Sequence, residues 1–330
     1  MLSRTAEHLY WMSRYFERAA NMARILEACY RIALLPPMLR YGNSEWEAAL
    51  NIVGAHQAYD DRYKLLSSEG VINFLGFDLE NPSSLRYALW QARENAKSVR
   101  AFLPAPFWEL INTAWMEIKN AKVPQDIFRG DIFHFFEWAK ERAQLFRGIA
   151  YDTLLHDESF DFVRLGMFIE CADNTARILD VKYHILLPDI KEVGGAIDYY
   201  QWSSLLESVG ALDAYYQLFP HNILPWNVAE LLILRVEMPR SLRASIDQVS
   251  KILERLSLNY RREAVRIAGK ISSILQYGDI NEIFQTGLHE FLSFFLAQII
   301  ELGYAINRDF FSTQWYNAQT QTQTQTQTSI

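Results

Sequence analysis

The sequence predicts an all-α fold: two tandem, duplicated helical-bundle halves packed into one globular unit with pseudo-twofold symmetry. Three observations carry that prediction. Apolar residues recur at helical spacing over long stretches, and no segment sustains the alternation of a strand. Only 14 glycines and 10 prolines punctuate the 330 residues, so long runs are free of helix breakers. Finally, residues 14–35 recur as residues 167–188.

The first element spans 3–34, an apolar-faced helix stopped by Pro36-Pro37. A second helix is expected over Ser44 to Leu66. Asn81-Pro82-Ser83-Ser84 is a start signal, a polar cap with proline in the first turn, for a helix reaching about Phe102. Pro104-Ala105-Pro106 ends it, and further helices cover about 107–121 and 131–155. The second half repeats this order at 160–187, 199–218, 226–235, 240–257, 259–277 and 280–310. The Gln/Thr alternation of 319–328 has no apolar content to fold with, so a disordered tail is expected over 313–330.

Within the repeat, Glu17 aligns with Glu170, Asn21 with Asn174, Arg24 with Arg177, Tyr30 with Tyr183 and Ile32 with Ile185. Trp46, Val53-Gly54-Ala55 and Tyr59 match Trp202, Val209-Gly210-Ala211 and Tyr215. Pro82-x-Ser84 matches Pro239-x-Ser241, and His134-x-Phe136 matches His289-x-Phe291. The halves are 1–155 and 156–312. The period is too long for a solenoid of ~20–50-residue units.

Composition narrows the function class. Half of the residues are hydrophobic, enough for a large core, and the net charge of −7 disfavours nucleic acid as a partner. Cys29 and Cys171 are spaced like neither a zinc site nor a disulfide framework, which suits a reducing compartment. No apolar segment is long enough to span a membrane and no signal peptide is evident, so a cytoplasmic protein is expected. The run from Arg235 to Lys270 is locally basic and reads as a surface that docks an acidic partner or as a solvated helix face. No phosphate loop is present, and no Glu-x-x-His exists to support a di-iron bundle. Asp131-x-x-His134 could supply two ligands, but its repeat lacks the acid at Thr286, so no metal site and no cofactor are assigned. Cys171 is a possible nucleophile with no histidine near it in sequence.

The chemistry-bearing candidates form a stripe. On a helix, Glu17, Asn21 and Arg24 fall on one face, in line with Tyr10 and Arg14, while the rest of the circumference is apolar. Such a helix is buried, and its charges must be paired or serve a ligand. Glu17 and Arg24 are two turns apart, about 10.5 Å of rise, too far to pair within the helix. Besides simple solvent exposure of these charges, two readings stay open. The repeat helices could cross antiparallel and exchange ion pairs, Glu17 with Arg177 and Glu170 with Arg24. Alternatively the stripes could bind an anionic or amide-bearing ligand. Oligomeric state and catalysis are not legible.

The stretch Leu9-Tyr10-Trp11-Met12-Ser13-Arg14-Tyr15-Phe16-Glu17-Arg18-Ala19-x-Asn21-x-Ala23-Arg24 strongly resembles the opening of the alpha-E domain proteins, bacterial all-helical proteins named for a Glu-Arg motif, here Glu17-Arg18. Phe168-Ile169-Glu170-Cys171-Ala172-Asp173-x3-Arg177 resembles the family's second motif, with Cys171 where that motif usually has arginine. The resemblance implies gene neighbours of two kinds, a circularly permuted ATP-grasp protein and a transglutaminase-like protein. It thus implies an accessory or binding subunit, or an enzyme, of a system that forms amide bonds on a peptide. The candidate ligand-binding or cross-repeat ion-pair residues are Arg14, Glu17, Arg18, Asn21, Arg24, Glu170, Asn174 and Arg177.

Overall fold

The computed structural model describes residues 1–36, 44–120, 132–185, 195–258 and 262–311. The expected Gln/Thr tail, Pro37 and Asp131 lie outside them. Among the described residues there are fifteen α-helices and no strand. The first half contributes α1 (Ser3–Ala33), α2 (Ser44–Ile52), α3 (His56–Asp60), α4 (Ser68–Gly76), α5 (Leu85–Ser98), α6 (Ala105–Asn120) and α7 (Ile132–Thr153). The second contributes α8 (Glu158–His184), α9 (Ala196–Val209), α10 (Leu212–Leu218), α11 (Pro225–Ile233), α12 (Leu242–Ser257), α13 (Glu263–Gln276), α14 (Ile280–Thr286) and α15 (Leu288–Ile306), which runs on into a π-helical turn, Asn307–Phe311.

Several boundaries differ from the sequence expectation, and each difference has a local cause. The helices expected over 44–66 and 199–218 are each broken in two. Gly54 and Gly210 sit at φ +66° and +69°, the left-handed region that side chains resist. At each break the residue after the glycine donates its N–H back five residues, Ala55 to Leu50 at 2.9 Å and Ala211 to Leu206 at 2.8 Å. The glycine itself donates three residues back, Gly54 to Asn51 and Gly210 to Glu207, which completes a Schellman stop. The repeated Val-Gly-Ala motif is therefore a turn. Beyond it, the buried Tyr59 and Tyr215 each tie down the following loop, donating to the carbonyls of Leu65 and Asn222 at 3.1 Å.

The cap of α5 is Ser84, whose Oγ accepts from Tyr87 N at 3.0 Å, so Pro82 lies before the helix and not in its first turn. Ser241 caps α12 in the same way through Ala244 N at 3.0 Å. Helix α4, unexpected from the sequence, is capped by Ser67 and buries Val71, Ile72, Phe74 and Leu75.

Helices α1 and α8 form the centre. Helix α1 packs on α8, α5, α7, α2 and α9. Helix α8 packs on α1, α12, α15, α9 and α2. One continuous apolar core, from Ala6 to Phe311, draws on both halves. The two central helices come close at Gly166. A side chain there would stand 2.4 Å from the Tyr10 carbonyl and 2.2 Å from Ser13 Oγ. No single helix among the described residues is long and apolar enough to cross a membrane.

Candidate functional site

Where α1 meets α8, the two polar stripes come together and are buried. Glu17, Asn21, Arg24, Glu170 and Asn174 are all below 5% exposed. Glu170 is clamped by two arginines of α1. Arg18 donates through Nε to Oε1 at 2.7 Å and through Nη2 to Oε2 at 2.9 Å, and Arg14 Nε donates to Oε2 at 2.9 Å. Arg14 also donates to Tyr10 Oη at 3.2 Å, and Arg18 lies over the Tyr15 ring. Glu17 accepts from Arg147 Nη2 at 2.5 Å and from Arg240 Nη1 at 3.0 Å.

The reciprocal pairing expected between the stripes is corrected here. Glu17 does not pair with Arg177, nor Glu170 with Arg24. Arg177 turns to Asp173, four residues back on its own helix, at 2.6 Å, and to the Ile52 carbonyl. Among the described residues Arg24 donates only to the Ala20 carbonyl, at 3.3 Å, and its Nε has no partner. Residue type explains the asymmetry. The α8 positions equivalent to Arg14 and Arg18 are Met167 and Cys171, so α8 has no cation to return to Glu17. That carboxylate draws instead on Arg147 of α7 and on Arg240, just before α12. The sequence reading missed both. Arg240 is 6% exposed, so this member of the expected basic surface is interior. Thr175 Oγ1 holds its backbone by donating to the Arg240 carbonyl at 2.8 Å.

The two carboxylates are fixed as anions. Burial pushes Glu17 up, but Arg147, Arg240 and Arg24 together outweigh it and bring the group down to about 2. Burial likewise raises Glu170, and Arg18 and Arg14 bring it down to about 2. Burial and then the neighbouring Arg240 push the Arg24 guanidinium down to about 9, against the pull of Glu17. Six guanidinium groups (Arg14, Arg18, Arg24, Arg147, Arg177, Arg240) thus share three carboxylates, Glu17, Glu170 and Asp173. The cluster carries an excess of positive charge.

A pocket of about 310 Å³ opens onto the Glu170 side of this cluster. Arg14, Arg18 and Asn21 line it from α1, and Glu170, Asp173, Asn174 and Arg177 from α8. Pro82 and Ser83 close one wall. Their loop is pinned by Asn81, whose Nδ2 donates to the Phe74 carbonyl at 2.9 Å and whose Oδ1 accepts from Ser83 N at 3.0 Å. In the sequence repeat Ser83 aligns with Arg240. Ser83 lines this pocket, whereas Arg240 stands beside Glu17 and donates to Asn21 Oδ1 at 3.0 Å. Asn174, the counterpart of Asn21, is 2% exposed, and its Nδ2 has no hydrogen-bond partner among the described residues. A buried donor left unpaired is costly.

The chain contains three Glu-Arg dipeptides, 17–18, 141–142 and 254–255. Glu17-Arg18 places one side chain in each half of the buried network, whereas Arg142 pairs with Glu117 and Arg255 with Asp161 nearer the surface. A family model described as Alpha-E, "a predicted alpha-helical domain with a conserved ER motif", matches residues 1–311. No curated protein and no solved structure matches the chain.

Proposed function

Because the chain belongs to the Alpha-E family, we propose that it is a binding subunit of a bacterial, cytoplasmic, ATP-grasp-linked system that forms amide bonds on a peptide. In this reading the pocket between α1 and α8 holds an anionic group of that system's substrate, a carboxylate or a phosphate. The ATP-grasp and transglutaminase-like partners come from the family resemblance. The pocket supports the binding role on its own terms. Its single most telling feature is that Asn174, whose buried Nδ2 has no hydrogen-bond partner among the described residues, lines a space bordered by Arg14, Arg18 and Arg177. Guanidinium groups recognise carboxylate and phosphate through paired donors, and an excess of buried positive charge favours an anion.

The alternative is an enzyme that uses Glu17 or Glu170 as a base. A general base works best with a pKa near the working pH. Both carboxylates are held at about 2 and are occupied by arginine donors. That favours binding over proton abstraction by these two groups.

The test is reconstitution with the ATP-grasp protein and its peptide substrate. ATP turnover or ligated product should depend on this chain and fall with Arg18→Met, since Arg14 still holds Glu170 when Arg18 is gone. Equal product with and without the chain would remove the proposal.

A further inference from the structure

A second constellation lies away from this pocket, at the end of α8. Asp180 and His184 are four residues apart and share one face of the helix. His289, in the first turn of α15, approaches them from the side: its Nδ1 is 2.6 Å from Asp180 Oδ1. His184 Nε2 is 3.5 Å from Asp180 Oδ2. All three ligand atoms lie within 4.8 Å of one another. Tyr183 stacks on His289 at 3.8 Å between ring centroids and fixes the imidazole plane. The Asp180 carboxylate is largely buried, and a cavity of about 320 Å³, lined by Asp180 and His289, opens beside it.

The duplication sharpens the point. The first-half equivalents of Asp180 and His184 are Glu27 and Arg31. Glu27 is a buried carboxylate satisfied by two permanent cations, Arg31 at 2.9 Å and Lys140 at 2.7 Å. In the second half the buried Asp180 is met by two imidazoles, His184 and His289, where Glu27 is met by two permanent cations. A metal ion held between the imidazoles and the carboxylate would supply the positive charge that arginine and lysine supply at Glu27.

We propose that Asp180, His184 and His289 bind a first-row transition-metal dication of the zinc class, with solvent in the cavity completing the coordination. Two imidazoles and one carboxylate suit such an ion and not magnesium or calcium, which prefer oxygen ligands. Zinc bonds of about 2.0–2.2 Å place tetrahedral ligand atoms roughly 3.3 Å apart. The two histidine nitrogens stand 2.6 Å and 3.5 Å from different oxygens of the Asp180 carboxylate, so the ligands adjust as the ion enters. Three protein ligands with an open position differ from a closed structural site, and the cavity provides that opening.

The experiment is calorimetric titration of zinc into the metal-free full chain. One equivalent should bind, with no comparable heat from magnesium. His184→Gln and His289→Gln should each weaken binding by more than about tenfold, since disturbing outer-shell partners alone costs about that much. His56→Gln is the control, because His56 also sits four residues from an aspartate, Asp60, but on an exposed helix. It should leave zinc binding unchanged. A cobalt-loaded wild-type sample reads the ligands without any variant: paramagnetically shifted imidazole resonances from two histidines are expected. Zinc binding no tighter than magnesium, binding unaffected by His289→Gln in a folded variant, or a cobalt sample without shifted imidazoles would each overturn the site.

Discussion

Asn21 and Asn174 occupy equivalent positions of the duplicated motif, and only one of them is satisfied. Asn21 donates to the Glu170 carbonyl at 3.2 Å and accepts from Arg240 at 3.0 Å, whereas the Nδ2 of Asn174 has no partner among the described residues. Arg240 and Ser83 hold the same place in the sequence repeat. Exchanging those side chains should therefore be unequal in cost. Arg240→Ser strips a buried cation from Glu17 and Asn21, and should cost about 3–5 kcal/mol. Ser83→Arg places a guanidinium in an open pocket and should stay within about 1 kcal/mol of wild type. Urea unfolding midpoints of the two variants check this; a larger loss for Ser83→Arg would contradict it.

Charge excess around Glu17 leads to a second inequality. Glu17 is shared by Arg147 and Arg240, with Arg24 close by and poorly bonded. Arg24→Met removes a repelling cation and should change stability by less than about 1 kcal/mol. Glu17→Leu leaves three guanidinium groups with no carboxylate between them, and should cost about 3–5 kcal/mol. Thermal melts of the two single mutants separate the cases. Equal losses would mean that Arg24 is a full partner of the carboxylate.

Acid should unfold the protein through the same carboxylates. Glu17 and Glu170 both stand at about 2 in the fold, against an ordinary value of 4.5. A depressed carboxylate contributes stability that is complete above its unfolded value and is lost as pH falls through the folded one. Stability should therefore drop between about pH 4.5 and pH 2, and Glu170→Gln should flatten that drop. Denaturation midpoints measured across this window provide the check; a curve unchanged by Glu170→Gln would argue against the assignment.

The crossing of α1 and α8 depends on a missing side chain. At Gly166, an added methyl would meet the Tyr10 backbone carbonyl at 2.4 Å, and backbone yields less readily than a side-chain end. Gly166→Ala should push the helices apart and cost about 1–3 kcal/mol, the range for overpacking. Gly148→Ala, on the open side of α7 with nothing within 4 Å, should be neutral or stabilising. Calorimetric melting of the pair tests the contrast.

The helices and the duplicated stripe were legible because hydrophobic period and repeated polar identities are local in sequence. Partners were less so. Arg147 and Arg240 reach Glu17 from α7 and from the turn before α12, and no spacing rule connects them to it. The signal that could have found Arg240 lay in the unmatched middle residue of Pro82-x-Ser84 and Pro239-x-Ser241. Met167 and Cys171, opposite Arg14 and Arg18, also announced that the two carboxylates would be compensated differently. The Val-Gly-Ala repeats were visible but read as helix interior, because helical periodicity continues on both sides of each glycine stop. Likewise, Asp180 and His184 share a helix face in the sequence, but His289 joins them only through the packing of α15 on α8.

The central claim is that the pocket between the two motif helices binds an anion through Arg14, Arg18, Arg177 and Asn174. Calorimetric titration with inorganic phosphate, pyrophosphate and a short peptide bearing a free carboxylate tests it directly. The account predicts saturable one-to-one binding of at least one of these anions, weakened at least about tenfold by Arg18→Met, which removes charge-assisted bonds worth about 1.5–3 kcal/mol. Ser83→Arg, which fills the pocket, should abolish the binding. Binding of none of the three anions, or binding that survives Ser83→Arg unchanged, would contradict the account.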